Sequence, residues 1–330
     1  MKKLLLTLTL ALFGLNAMMA QSSLVATLSH EGNVSLFYGY NAFVDAMAAA
    51  DHGDVITLSS GLFASTDITK AVTIRGAAMA DDPVKGILKT EINGGLDIRI
   101  PDETNGETLT MEYFFVGNIY NNSKNLQSPK FLHLRVGNIN DYSGGACMIN
   151  ALFSGIDCVG TIISSASSIT VVNSLIKDVY YDDSSRQRNI INSVIYALGS
   201  AYSSSTKKYI NFKNCIFTNS SIVLDGSNSC DHCLAIVENG NADIFANIVG
   251  GTNWTVNSSS EIFTGEDNYV LTPTAAQTYL GTDGTQVGIW GGSMPWTTTA
   301  DNPSITKCQV APRSTADGKL SVEIEVSGVQ

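Results

Sequence analysis

Short apolar stretches that alternate with polar residues, separated by small polar turns, fill the middle of the chain. In Ile210-Asn211-Phe212-Lys213-Asn214, residues 210, 212 and 214 share one face of an extended strand and 211 and 213 the other. Ile169, Val171 and Asn173 repeat the arrangement. The pattern predicts strands over 91–100, 109–116, 131–136, 147–153, 161–172, 189–196, 209–217 and 234–249. Within them an asparagine returns, in Asn150-Ala151-Leu152-Phe153, Asn173-Ser174-Leu175-Ile176, Asn192-Ser193-Val194-Ile195 and Asn214-Cys215-Ile216-Phe217, at separations of 23, 19 and 22 residues. A period near twenty with one strand-like unit per repeat predicts a solenoid, because no single coil buries its apolar face alone. Stacking lets the amides of Asn150, Asn173, Asn192 and Asn214 bond from one coil to the next as a structural ladder. That ladder would offset the cost of an amide among buried Ile and Phe. Residues 54–290 at about 21 per coil predict roughly eleven coils.

Before the stack, residues 24–37 read as a strand or an irregular lead-in, and Phe43, Val44, Met47 and Ala48 share a helical face within 40–50. Gly53 suits the positive φ at a helix C-terminus. After the stack, alternating strands at 305–310 and 320–326 flank Asp317-Gly318, a hairpin signal.

The opening (an alanine-rich helix, Gly53-Asp54, Val55 to Leu58, a Ser-Gly turn, then Ile68 to Gly76) resembles the start of right-handed parallel β-helix proteins of the pectin-lyase-like superfamily. The run 268–292, with Gly281-Thr282-Asp283-Gly284 and Gly288-Ile289-Trp290-Gly291-Gly292, resembles the last coil of secreted bacterial members. The resemblance implies an all-β, right-handed parallel β-helix solenoid with an N-terminal capping helix and a short C-terminal β-hairpin. It divides the chain into a signal peptide (1–20), lead-in and capping helix (21–53), β-helix (54–292), and linker with hairpin (293–330).

Export is expected from Lys2-Lys3, the apolar run Leu4 to Leu15 and the close at Ala20, with the run too short to span a bilayer. The expected location is periplasmic, cell-surface or extracellular. Discounting Lys2 and Lys3 takes the formal net charge from −11 to −13. That balance argues against nucleic acid and strongly anionic polysaccharides as partners.

The superfamily contains polysaccharide lyases and glycoside hydrolases, so their motifs are the ones to seek. Asp182-Asp183 and Asp81-Asp82 match a hydrolase acid pair and His52-Gly53 its His-Gly, but His52 falls in the N-terminal cap region, the Asn-Thr-Asp and Arg-Ile-Lys elements are absent, and no Arg-x-Pro-x-x-Arg strand of a pectate lyase occurs. The densest cluster is Tyr180-Tyr181-Asp182-Asp183-Ser184-Ser185-Arg186-Gln187-Arg188. There Asp182, Asp183, Arg186 and Arg188 are candidate catalytic groups and Tyr180, Tyr181 and Trp254 candidate sugar-stacking residues, against the alternative of a solvated turn. Lyase chemistry would bring Ca²⁺ with it; otherwise no cofactor or metal is expected. The six cysteines suggest disulfides in an exported protein, with Cys230–Cys233 and Cys147–Cys158 as candidate pairs and Cys215 as another partner. The functional expectation is an exported, non-catalytic protein that binds glycans or cell-surface partners along the solenoid face. The alternative is a polysaccharide lyase or glycoside hydrolase.

Overall fold

The computed structural model describes residues 24–298, 304–310 and 322–327, apart from 102–103, 105, 142–146, 164–167, 181–187, 197–208, 219–223, 225, 238–242 and 266–268. It is a parallel β-solenoid of about eight turns, with 46% of residues in strands. Each coil contributes one strand to an 11-stranded sheet and another to a 10-stranded sheet. One inward residue per coil builds the core of the first sheet: Ile56, Ile74, Met111, Phe131, Phe153, Val171, Ile190, Phe212 and Cys230 stand in register and are buried. Phe131 and Phe153 stack with ring centroids 4.7 Å apart. The facing column of the second sheet includes Val116, Val136, Cys158, Ile176, Ile195 and Phe217. In-register stacking turns a weak alternation in each coil into a continuous dry interior.

The first sheet opens with an antiparallel hairpin, Val25–His30 and Asn33–Tyr38, and the helix Ala42–Ala49 packs beneath it through Ala42, Phe43, Ala46 and Met47. Val44 is half-buried and Ala48 exposed, so the buried face is rotated from the one the spacing suggested. Gly53 takes φ 91°, as its place after the helix requires. At the other terminus Ser304–Val310 and Val322–Ser327 form the expected antiparallel hairpin.

Several predicted strands span a corner and belong to two sheets. The stretch 109–116 divides into Thr110–Glu112 in one sheet and Phe115–Asn121 in the other. Tyr113, His133, Gly155, Asn173, Asn192, Asn214 and His232 occupy successive corners with φ between 45° and 65°. Asparagine is among the few side chains that enter this left-handed region readily. The recurring asparagine therefore marks a bend, and the corner N–H groups continue the ladder, as in Asn173 N to Ile191 O and Asn192 N to Lys213 O. Asn150 belongs to a different corner, one residue before the strand Ala151–Ser154, and its place in the column is held by Gly155.

The amides do not ladder onto each other as expected. Asn173 Nδ2 donates to Ile289 O (2.9 Å) and Gly291 O (2.7 Å), and Asn214 Oδ1 accepts from Thr282 N (2.9 Å). The segment 281–298 is thus a strap laid lengthwise over the corners, not a last coil. It continues to His133, whose Nδ1–H donates to Thr297 O, and to Met79, whose N–H donates to Thr298 O. Two other asparagine pairs do connect coils through their side chains: Asn138 Nδ2 to Asn118 Oδ1 (2.8 Å), and Asn211 Nδ2 to Asn189 Oδ1 (3.1 Å). The solenoid has about eight turns rather than eleven, partly because the strap is not coil and partly because some coils are long, as in the 37 residues between Thr73 and its partner Thr110.

Candidate ligand-binding cleft

Outward residues of the second sheet are what the C-terminal segment covers. Leu175, Val194, Ile216, Leu234 and Trp254 stand in register on that outer face. With Ile262, Leu271, Val287 and Ile289 they form a second apolar cluster outside the solenoid. Val194 and Ile195 are both fully buried for this reason: one faces the outer cluster, the other the interior.

Beside this cover lies an open cleft of about 550 Å³. Its floor includes Thr218 and Ile236, from neighbouring coils of the same sheet. Residues 257–260 make one wall, where Ser258 caps the short 3₁₀ turn Ser259–Glu261 by accepting from Ser260 N. The other wall is Phe263, Thr264 and Tyr269. An antiparallel bridge between Phe263 and Leu271, and Thr264 N to Val270 O (2.8 Å), fix that loop. The Phe263 and Tyr269 rings meet edge to face, centroids 5.6 Å apart. Among the described residues no charged side chain lines the cleft, and their polar surface there is hydroxyl and amide.

In the coil of Asp157–Ile163, Asp157 receives Arg135 Nε at 3.3 Å. Burial raises the Asp157 pKa above the ordinary carboxylate value, and Arg135 opposes the shift without cancelling it. Tyr196 donates to Cys158 O (3.3 Å); burial, then Asp157, then Cys158 and Tyr269 push its phenol up. A carboxyl raised by folding makes stability complete below the unfolded pKa of 3.8 and lets it decline as pH rises through the folded value. An Asp157→Asn chain is therefore expected to melt at the same temperature as wild type near pH 3.5 and above it at pH 7, by thermal melts at the two pH values. A lower melting temperature at pH 7 would mean that the Arg135 pair outweighs burial.

The residues singled out from the sequence are distributed differently. Tyr181, Asp182, Asp183 and Arg186, and the side chain of Tyr180, lie outside the described residues. Arg188 was expected in a surface turn, but it is fully buried, at the inward position between Ile169 and Ile210. It starts the strand Arg188–Ile191, and alternation turns its side chain inside, out of reach of any polymer. Trp254 is half-buried over Leu234, its edge toward His232 and Tyr279, and so seals the outer cluster rather than presenting an open platform.

The five cysteines whose side chains are described (Cys147, Cys158, Cys215, Cys230 and Cys233) are free and buried, so the expected Cys230–Cys233 and Cys147–Cys158 disulfides are replaced by thiols in the core. Cys230 ends its sheet's inward column and Cys233 begins the other sheet beyond the His232 corner, with Cys215 in contact with Cys233. Burial, then that contact, push the Cys215 thiol well up, which keeps it protonated and unreactive. Among the described residues no group of His, Cys, Asp and Glu is arranged to hold a metal ion, and no helix is long and apolar enough to cross a membrane.

Sequence reasoning missed the cleft, whose walls fall in a stretch without alternation. It also missed the repeat Val116-Gly117-Asn118-Ile119 and Val136-Gly137-Asn138-Ile139, which marks a bulge column in the second sheet and was visible at a spacing of 20. No family model, curated protein or solved structure matches this chain.

Proposed function

We propose that this is an exported, non-catalytic β-helix protein of the pectin-lyase-like type that binds uncharged glycans in the cleft walled by Phe263 and Tyr269. The carrying observation is the composition of the described lining: hydroxyls and an amide around two aromatic rings. Sugars bind to such surfaces by laying apolar ring faces on aromatics while their hydroxyls exchange hydrogen bonds with Ser, Thr and Asn. The described lining holds no Arg or Lys, the groups that uronates and sulfated polymers need to offset their desolvation, which favours neutral sugars. Lys2-Lys3 and the apolar run behind them support export to the periplasm, the cell surface or the medium, in a bacterial host.

The test is a glycan array read together with an assay for new reducing or unsaturated ends. Binding to neutral oligosaccharides without release of ends is the expected result. Depolymerisation of any polysaccharide, or binding confined to anionic glycans, would overturn the proposal.

A further inference from the structure

The strand Asn33–Tyr38 ends the 11-stranded sheet, paired among the described strands only with Val25–His30. Gly39 N–H reaches Leu24 O at 2.8 Å, which sets the alternation of the pair. Residues 33, 35, 37 and 39 bond to the neighbouring strand, and the N–H and C=O groups of Val34, Leu36 and Tyr38 point to the open edge. The same three residues carry the exposed apolar side chains, at 65%, 52% and 62% exposure. Phe37, opposite Ala26, turns toward the core instead.

Exposed edges are ordinarily blunted by lysine, proline or a bulge. Here the six residues Asn-Val-Ser-Leu-Phe-Tyr contain no charge and no proline, and the register against the neighbour is unbroken.

We infer that this edge is a self-association surface, on which a second copy of the chain adds the same strand antiparallel about a two-fold axis through Leu36. The occupant follows from the geometry. With Leu36 opposite Leu36 of the other copy, Val34 falls opposite the second copy's Tyr38 and the reverse. In that register all the outward N–H and C=O groups of the three residues are satisfied together, and the two apolar stripes merge into one. A register shifted by one residue would set these groups against ones already bonded within each sheet. The absence of charge along the strand leaves nothing there to repel an identical partner, and a two-fold contact closes after two copies. The cleft lies toward the far end of the stack, so pairing leaves both clefts open.

Six-residue pairing is a small contact, so the dimer is expected to be concentration-dependent, monomeric below about 1 μM and dimeric above about 100 μM. Sedimentation velocity of the full chain reads this directly. Leu36→Lys places two ammonium groups across the axis, and is expected to be monomeric throughout with an unchanged far-UV spectrum. Leu36→Cys, oxidised with glutathione disulfide, is expected to give a dimer band on a non-reducing gel, by thiol–disulfide exchange that releases two reduced glutathiones. Ser35→Cys, which faces Phe37 of the other copy, is expected to give none. A monomer at every concentration, larger open-ended oligomers, or equal cross-linking through residues 35 and 36 would overturn the inference.

Discussion

The Gly137→Val chain is expected to accumulate as aggregate, with little or no soluble protein. Gly94, Gly117, Gly137 and Gly160 succeed one another where the second sheet bulges, and the last three each pass close over the backbone of the coil before. A Cβ on Gly117 would stand 2.6 Å from Gly94 O, and one on Gly137 would collide with Gly117 O. A backbone carbonyl that belongs to a stacked ladder cannot rotate away as a side chain does. The clash must separate coils on both sides, and overpacking of this kind costs about 3 kcal/mol or more. Gly106 is the control: its φ is 83° and a Cβ there meets nothing within 4 Å. Gly106→Ala is expected to cost only about 1 kcal/mol, for the left-handed backbone alone. Soluble yield and thermal melts of the two chains, side by side, check the contrast.

Asn173→Ala is expected to destabilise by about 3 kcal/mol, and Asn173→Gly by about 2 kcal/mol. Both lose the amide that donates to Ile289 O and Gly291 O, which leaves two carbonyls of the strap without that donor. Only alanine also pays for φ 45° at the corner. Because the strap carries Trp290 against the outer cluster, loosening it should shift tryptophan emission to the red and expose 281–298 to protease. An amide ladder between coils predicts something else: equal losses at Asn173, Asn192 and Asn214, with emission unchanged.

What could be read from the sequence was local. Alternation in Ile210 to Lys213, the helical face around Phe43 and Met47, and the twenty-residue period each reflect neighbours along the chain or in the next coil, and the parallel solenoid follows from them. Arg188 was misplaced because a charged residue in a polar stretch looks like surface, whereas the register of Ile169 and Ile210 turns it inward. The asparagines were noticed for the right spacing and given the wrong work. Their backbone conformation makes the corner, while their side chains meet residues such as Ile289, 116 positions away from Asn173. No periodic signal encodes a contact made once, at that distance. The cleft suffers the same limit, since Thr218 and Ile236 are met by a loop that repeats nothing.

Isothermal titration of a neutral oligosaccharide drawn from the array, into wild type, Tyr269→Ala and Trp254→Ala, tests the cleft most directly. Tyr269 lines the cleft, whereas Trp254 seals the outer cluster beside it. Tyr269→Ala, which removes one aromatic wall, is expected to lose at least about tenfold in affinity, and folded Trp254→Ala to bind as wild type. Unchanged binding by Tyr269→Ala, or loss only in Trp254→Ala, would contradict the proposed site.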